Sequence, residues 1–386
     1  MRLDQDVMKH LFLTTSLAIC LLALAGTNIC AQDELHKTYP LTPNGTVSVT
    51  NVSGSIRITS WNENRVQVDA VKRGDRNDFS QVEIHVSDSA ERLEITTIYP
   101  RNSGRGRNQV EVNYDLKVPR GAVLSPITST SGNITITEAG SRIVARATSG
   151  AVTVRDSRGE TNVSSTSGEL TITNIGNNVT ANVTSGAMHI EKVTGRVNAQ
   201  GISGRVAVKD VDGDATVQGI SDSVLAENIK GRLTVNAVSA DVTVRNVQEG
   251  ARVNSVSGTI TITNTKGLIE ARTTSGDINV REVESREIQL NTHSGMINYS
   301  GTIFDDGRYN FESFNGNILL QLPASANFAL TVTTFNGSLE TDFPITIPPG
   351  MTRTNRPRRL QGTYGKGNVA EIKISGFNAN IKLKKQ

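Results

Sequence analysis

Serine recurs at every eighteenth position through the middle of the chain, and the order of apolar and polar residues repeats with it. We call these residues the marker serines; they are Ser131, Ser149, Ser167, Ser185, Ser203, Ser221, Ser239, Ser257 and Ser275. With the marker as position 1, positions 4 and 6 are apolar in all nine units, as in Leu170-Thr171-Ile172. Apolar residues at every second position, separated mostly by threonine, are typical of a β-strand that buries one face.

Each unit also holds a second alternating segment, which ends just before the next marker, as in Val179-Thr180-Ala181-Asn182-Val183. Glycine follows the marker in seven of the nine units and is common between the two segments, where corners need residues that tolerate a positive φ. Two short strands and two corners per unit predict one turn, or rung, of an all-β parallel β-solenoid (β-helix), with one rung for each marker serine. Equivalent residues of successive rungs should then stack about 4.8 Å apart.

The rungs lengthen towards the C-terminus, where the marker position falls at Ser294, Asn315 and Asn336. The last two intervals are equal, and Asn378 lies two further intervals of the same length beyond Asn336, which predicts two more rungs of this size. Aromatic residues are absent from Asp115 to Asn298 and then become frequent: Tyr299, Phe304, Tyr309, Phe311, Phe314, Phe328, Phe335 and Phe343. They predict a core that widens into an aromatic-filled cap, because a solenoid must cover its open end.

Upstream of the array, Ser53-Gly54-Ser55-Ile56-Arg57-Ile58 has the register of the later rungs. Three more alternating segments, 82–86, 93–98 and 110–114, follow it. They predict a small antiparallel β insertion that caps the N-terminal end of the solenoid.

The N-terminus has the features of a secretory signal. Residues 11–26 form an apolar run behind Lys9 and His10 that is short for a membrane span and is followed by polar sequence. We predict cleavage after Ala31, which removes both cysteines, Cys20 and Cys30. The mature chain contains no second apolar span, so we expect an exported protein of the periplasm, the cell surface or the extracellular space. The predicted regions are a signal peptide at 1–31, an N-terminal rung with hairpin cap at 32–112, and a solenoid with C-terminal cap at 113–386.

Five features of the chain occur in a characteristic order. They are Val52-Ser53-Gly54-Ser55-Ile56-Arg57-Ile58 with Trp61, Leu116-Lys117-Val118-Pro119-Arg120-Gly121, the tandem Thr-Ser-Gly-x-Ile-x-Ile rungs, Gly362-Thr363-Tyr364-Gly365-Lys366-Gly367, and Phe377-Asn378-Ala379-Asn380-Ile381. Together they resemble the bacterial Toastrack family, also labelled putative adhesins, a β-strand-repeat domain of unknown function. The resemblance covers nearly all of residues 40–386. It implies a non-enzymatic protein of the envelope or surface, acting in adhesion or as an envelope scaffold.

Charge and motifs narrow the possible functions. The 40 Lys+Arg residues and 37 Asp+Glu residues give a net charge of +3, which is too balanced to indicate a nucleic-acid partner. The mature histidines, His36, His85, His189 and His293, never lie at metal-ligand spacing, and no base adjoins a marker serine. We therefore assign no catalytic, cofactor-binding or metal-ligating residue and expect a protein that is not an enzyme.

Position 8 supports an enzymatic alternative. It is polar in every unit: Glu138, Asp156, Asn174, Lys192, Asp210, Asn228, Asn246, Asn264 and Glu282. Stacked acids at this corner would suit a carbohydrate-active enzyme, a polysaccharide lyase or hydrolase-like β-helix acting on an acidic glycan. Only Glu138 and Asp156 are neighbouring acids, and the central rungs offer no aromatic ring for a sugar, so we favour a turn role for this row.

Two basic segments are candidate contacts with an anionic surface. Their arginines are Arg101, Arg105 and Arg107 in the first segment, and Arg353, Arg356, Arg358 and Arg359 in the second. Glycine or proline interrupts both segments, which favours loops. The expected partner is a protein or glycan of the cell envelope or surface.

Overall fold

The structure, a computed structural model, describes residues 31–100, 110–348, 354–355, 358–366 and 369–386. Apart from one 3-10 helix at Arg76–Gln81, the regular elements of these residues are β-strands. The all-β prediction is therefore confirmed. The predicted signal peptide lies outside the described residues except for Ala31, the first residue of the first strand.

The strands fall into three groups along the chain. Before the regular array lie β1 Ala31–Pro40, β2 Thr46–Ser53, β3 Ile56–Trp61, β4 Arg65–Gly74, β5 Glu83–Asp88, β6 Arg92–Ile98 and β7 Glu111–Pro119. The array consists of β8 Val123–Ser131, β9 Ile134–Thr137, β10 Ile143–Ala147, β11 Val152–Ser157, β12 Thr161–Ser167, β13 Leu170–Ile175, β14 Val179–Ser185, β15 Met188–Val193, β16 Val197–Ser203, β17 Val206–Val211, β18 Ala215–Ile229, β19 Leu233–Val247, β20 Ala251–Ser257, β21 Ile260–Thr263, β22 Ile269–Ser275, β23 Ile278–Val283, β24 Glu287–Ser294 and β25 Ile297–Gly301. After it come β26 Arg308–Asn315, β27 Ile318–Leu322, β28 Phe328–Thr334, β29 Leu339–Thr341, β30 Thr354–Asn355, β31 Arg358–Tyr364, β32 Ala370–Asn378 and β33 Ile381–Lys385.

Parallel pairing stacks the array into two columns of strands. Column 1 joins β8, β10, β12, β14, β16, β18, β19, β20, β22 and β24 in that order. Column 2 joins β9, β11, β13, β15, β17, β18, β19, β21, β23 and β25, so the long strands β18 and β19 turn the corner and belong to both. Ile172 pairs with Val154 on one side and with Ile190 on the other, and each partner is its equivalent in the adjacent repeat. The predicted β-solenoid and its rung length are confirmed.

The core follows the predicted alternation. All eighteen residues at positions 4 and 6 are buried, with at most 1% of their surface exposed. Threonines between them, such as Thr171 and Thr261, are half-exposed on the outer surface. Each rung thus buries a thin aliphatic layer against the layers above and below it.

The corner after each marker serine is too tight for most side chains. At Gly186 the φ is 145°, and a Cβ would lie 2.4 Å from the carbonyl oxygen of Gly168 in the preceding rung. The marker carbonyls complete the corner, since the N–H of Gly168 donates to Ser185 O (3.1 Å) and that of Gly186 to Ser203 O (3.0 Å). These contacts explain why glycine follows the marker so regularly.

The N-terminal end is assembled out of chain order. Strands β2 and β3 form a rung that lies between β8 and β9 on one side and β6 and β7 on the other. The predicted antiparallel insertion is present, because β5 pairs with β6, β4 with β7 and β1 with β4, all antiparallel. The sequence did not reveal that β6 and β7 also form the end rung of the solenoid, whose edges these antiparallel strands cover.

At the C-terminal end, too, the strands stack in an order that differs from their order in the chain. Strands β32 and β33 insert between β26 and β27 on one side and β28 and β29 on the other. Asn378 consequently lies between its two equivalents: its Nδ2 donates to Asn315 Oδ1 (2.7 Å), and Asn336 Nδ2 donates to Asn378 Oδ1 (2.9 Å). The prediction of two further rungs after Asn336 was wrong, because part of that chain forms β31, an antiparallel cover on β28.

The aromatic core exists but is smaller than predicted. Tyr299, Tyr309, Phe311, Phe328 and Phe343 are buried, with at most 2% of their surface exposed. Three predicted members do not belong to it: Phe304 is half-buried, and Phe314 and Phe335 are each 44% exposed on the outer surface. Phe314 and Phe335 are one residue out of phase with the inward positions of β26 and β28.

Buried tyrosines should make the fold sensitive to alkaline pH. Burial raises the pKa of Tyr114 to about 12, although a hydrogen bond with Thr97 (2.6 Å between the hydroxyl oxygens) opposes this shift. Burial also raises the pKa of Tyr299. An unfolded tyrosine ionises near pH 10. The stabilising contribution is therefore complete below about pH 10 and is lost as the pH rises through about 12.

Urea unfolding of the mature chain between about pH 8 and pH 12 measures this effect. We expect the free energy of unfolding to fall above about pH 10, and to fall less steeply in Tyr114→Phe. The same slope in both proteins would contradict the role of Tyr114.

Candidate functional site

The outward face of column 2 is charged. It carries Arg155, Glu191, Lys209, Glu227 and Arg245 on strands of the array, and Lys209 Nζ lies 3.4 Å from Glu227 Oε2. Such alternating, partly exposed charges suit a solvated surface or a contact with a charged partner.

The outward face of column 1 is uncharged across five rungs, from Thr161 to Ser239, all of which are described. Every second residue of β12, β14, β16, β18 and β19 points outwards along this column. These residues are Asn162, Ser164, Thr166, Thr180, Asn182, Thr184, Asn198, Gln200, Ile202, Thr216, Gln218, Ile220, Thr234, Asn236 and Val238. We call this surface the neutral face. Depletion of charge is a property of interface cores rather than of ordinary protein surface.

An exposed apolar row runs along one border of this column. It consists of the residue that precedes each marker position, in stacking order Ile202, Ile220, Val238, Val256, Thr274, His293, Phe314, Phe377 and Phe335. We call this row the apolar ridge. Its seven aliphatic and phenylalanine side chains are each 39–50% exposed. Thr274 and His293 lie between the aliphatic part of the row and its phenylalanines. Exposed apolar rows are typical of surfaces that bind a partner.

The aromatic end of the ridge is a continuous stack of rings. The ring centroids of His293 and Phe314 are 4.9 Å apart, those of Phe314 and Phe377 5.0 Å, and those of Phe377 and Phe335 5.1 Å. The planes are within 7° of parallel. Each inner ring therefore has both faces covered by its neighbours and offers only its edge, whereas a sugar-binding platform needs an open ring face.

The row at position 8 forms an open groove along the opposite corner. All nine residues have φ between 49° and 59°, the left-handed conformation that Asn and Asp tolerate best among residues other than glycine. Two adjoining stretches of this groove have volumes of about 570 and 750 Å³. The turn interpretation of this row is confirmed.

The acids of this groove have local partners. Asp156 Oδ1 accepts a hydrogen bond from Asn174 Nδ2 (2.6 Å), and Glu138 Oε2 lies 3.5 Å from Arg120 Nη2. Both carboxylates are exposed to solvent. The two neighbouring acids thus take part in separate surface contacts and are not held together around a common point.

Comparison with known proteins agrees with the repeat pattern. Residues 203–384 match the Toastrack family model, DUF4097. The predicted resemblance is confirmed over this part of the chain, which we call the Toastrack region.

The other comparisons with known proteins provide weaker evidence of similarity. No curated protein matches the chain. Among solved structures, a "putative cell adhesion protein" from Clostridium sporogenes ATCC 15579 aligns with 92% of this chain and 100% of its own, at 11% identity and a TM-score of 0.18.

The Toastrack region contains most of the apolar ridge. Every ridge residue except Ile202 lies within it, as do the inserted strand β32 and nearly all of β33. The neutral face, in contrast, begins upstream with β12, in rungs of the same register. The two surfaces share Ile202, Ile220 and Val238.

The predicted basic contacts can be placed only in part. Arg101, Arg105, Arg107, Arg353 and Arg356 lie outside the described residues. Arg358 and Arg359 begin β31 of the Toastrack region, and the side chain of Arg359 is exposed. Arg359 pairs with Thr333 of β28, on the edge of β28 that faces away from β32.

Two further findings concern metal binding and membrane crossing in the part of the chain that the structure describes. No group of three or more His, Cys, Asp or Glu side chains there could hold a metal ion. No helix in the same ranges is long and apolar enough to cross a membrane.

Proposed function

We propose that this protein is exported and acts as a non-enzymatic scaffold or adhesin-like interaction module of the cell envelope or surface. The observation that carries the proposal is the rod itself, whose two columns present long outward faces of different chemistry. The column 2 face is charged, whereas the column 1 face is neutral over five rungs and carries the apolar ridge, so the rod can hold two kinds of contact along its length. The match of residues 203–384 to the Toastrack family supports the same role.

The rival function is cleavage of an acidic glycan in the groove at position 8. Such an enzyme needs carboxyl groups that converge on the scissile bond. Asp156 is engaged with Asn174 and Glu138 with Arg120, which favours a structural use of both acids. The interaction role is therefore the better supported of the two.

One experiment compares the two functions. The chain is expressed with its leader, collected from the extracytoplasmic fraction, and incubated with acidic polysaccharides and with isolated envelopes of its own organism. We expect saturable cosedimentation with envelopes and no new sugar ends. A double variant, Glu138→Gln with Asp156→Asn, should bind as the unaltered protein does.

Turnover that this double variant abolishes would establish the rival enzyme. Retention of the whole protein inside the cytoplasm, or the absence of any envelope binding, would contradict the scaffold proposal.

A further inference from the structure

The apolar ridge projects from the solenoid instead of packing into it, and we propose that it pairs with the ridge of a second copy of this protein in an antiparallel dimer. This inference goes beyond the proposed function, because it concerns how two rods associate and holds whichever envelope component they contact.

The chemistry of the column 1 surface suits a contact with itself. The cores of interfaces are depleted of charged residues, so a face without charges favours a contact of this kind. Three rungs meet this condition and also carry the ridge, those of β16, β18 and β19, where Ile202, Ile220 and Val238 are exposed. The ridge rungs beyond β19 add exposed Val and Phe side chains, and their outward column 1 positions also include Arg252, Glu270, Arg272, Glu312 and Lys373. Aromatic and aliphatic side chains without formal charge are the residues that interface cores enrich.

The spacing of the ridge also suits a second copy. Its side chains recur once per rung, at about 4.8 Å. A partner that interdigitates with nine successive rungs must present side chains at the same interval, as paired sheets do in steric zippers. Another copy of this chain has that interval by construction, whereas an unrelated globular surface does not.

The available area is sufficient. Nine rungs at about 4.8 Å extend about 40 Å, and three side-chain rows across a strand are about 20 Å wide. The resulting strip of about 800 Å² per copy is what each partner contributes to a stable interface of standard size.

The distribution of side-chain size favours an antiparallel pair. Ile202 and Ile220 form one end of the ridge, and the rings of Phe377 and Phe335 form the other. In an antiparallel pair each bulky end meets a smaller one, so the two rods stay evenly spaced. In a parallel pair the rings would meet rings and hold the aliphatic ends apart.

The charges are compatible with the antiparallel orientation. Glu312 and Lys373 point outwards on β26 and β32. With the two-fold axis at Thr274, the centre of the ridge, β26 of one copy faces β19 of the other, and β32 faces β18, whose outward column 1 residues are uncharged. At the axis itself β22 faces β22, and Arg272 there is paired with Glu270 of its own chain (Nη2–Oε1 2.8 Å).

Sedimentation velocity of the mature chain and two variants tests the contact. Val238→Glu changes the ridge, whereas Thr243→Glu changes the column 2 face of the same strand, β19; both positions are at least partly exposed, so both variants should fold. We expect a dimer at about 10 μM for the unaltered protein and for Thr243→Glu. Val238→Glu should raise the dimer dissociation constant at least about 100-fold, since it buries an unpaired charge.

Cysteine cross-linking tests the orientation, because residues 32–386 contain no cysteine. Thr274→Cys should form a disulfide-linked dimer with itself, since it lies at the axis. Ile202→Cys should not, because its two copies would be about 40 Å apart and a disulfide needs Cα atoms within about 7 Å. A mixture of Ile202→Cys and Phe335→Cys chains should cross-link to each other.

Three results would overturn the proposal. The first is a monomer at about 100 μM, or equal weakening by Val238→Glu and Thr243→Glu. The second is self-linking of Ile202→Cys as fast as that of Thr274→Cys. The third is a monomer that cosediments with a neutral polysaccharide and loses this binding in Val238→Glu, which would assign the surface to a glycan.

Discussion

Replacing Ile172 with Asp is expected to destroy the cooperative folding of the rod, whereas Thr171→Asp should leave it almost unchanged. Ile172 is fully buried between Val154 and Ile190, and Thr171 is its half-exposed neighbour on the outer surface. Keeping an Asp carboxyl protonated at neutral pH costs about 4 kcal/mol, and the lost isoleucine burial adds at least about 1.5 kcal/mol. Since each rung touches only its neighbours, a failed rung divides the solenoid into two shorter stacks.

Thermal unfolding followed by circular dichroism measures this difference. Thr171→Asp should stay within about 0.5 kcal/mol of the unaltered protein, because its new carboxylate faces water beside Thr153 and His189. Equal melting of the two variants would contradict the inward and outward assignments.

Removing the C-terminal segment 370–386 is expected to disrupt that end of the rod far more than removing a whole rung from the middle. The truncation deletes β32 and β33, which pair with strands on both sides. It therefore separates β28 and β29 from the stack and exposes the edges of β26 and β27. Uncovered edges promote aggregation, so we expect little soluble protein.

The matched control deletes one complete repeat, 186–203, and joins Ser185 to Gly204. Ser185 and Ser203 are stacked equivalents, so the remaining rungs keep their register and the rod becomes one rung shorter. This variant should melt cooperatively near the temperature of the full-length chain. A truncated protein as soluble and as stable as the control would show that β32 and β33 are dispensable.

The regular part of the fold could be predicted from the sequence because its information is local. Residues such as Leu170 and Ile172 alternate with polar neighbours, and alternation of period 2 assigns each side chain to a face. The constant interval between markers then sets the register of stacking, since a strand displaced by one residue would bury its polar face. Even the αL row at position 8 has a local signal in its Asn and Asp residues.

Sequence reasoning did not identify the apolar ridge, although all of its residues lie at the same position of the repeat. Phe314 and Phe335 were assigned to the core because they are aromatic, yet they precede the marker and so share the phase of exposed Ile202 and Val238. Counting the alternation onwards from the inward residues of each strand would have placed them outside. The aromatic residue type led to the wrong prediction for these two residues, whereas their position within the strand alternation indicates the correct side.

The rung, its length, its inward residues and its glycine corners follow from the sequence alone, because each depends on contacts that repeat at a fixed interval. Which strands close the two ends depends on the tertiary stacking, since β6 with β7 and β32 with β33 stack against strands that are not their neighbours in the chain. The same out-of-order stacking brings Phe377 between Phe314 and Phe335 and so completes the aromatic end of the ridge. A repeat pattern specifies how one rung fits on the next, but it does not specify which segment of the chain supplies the final rung.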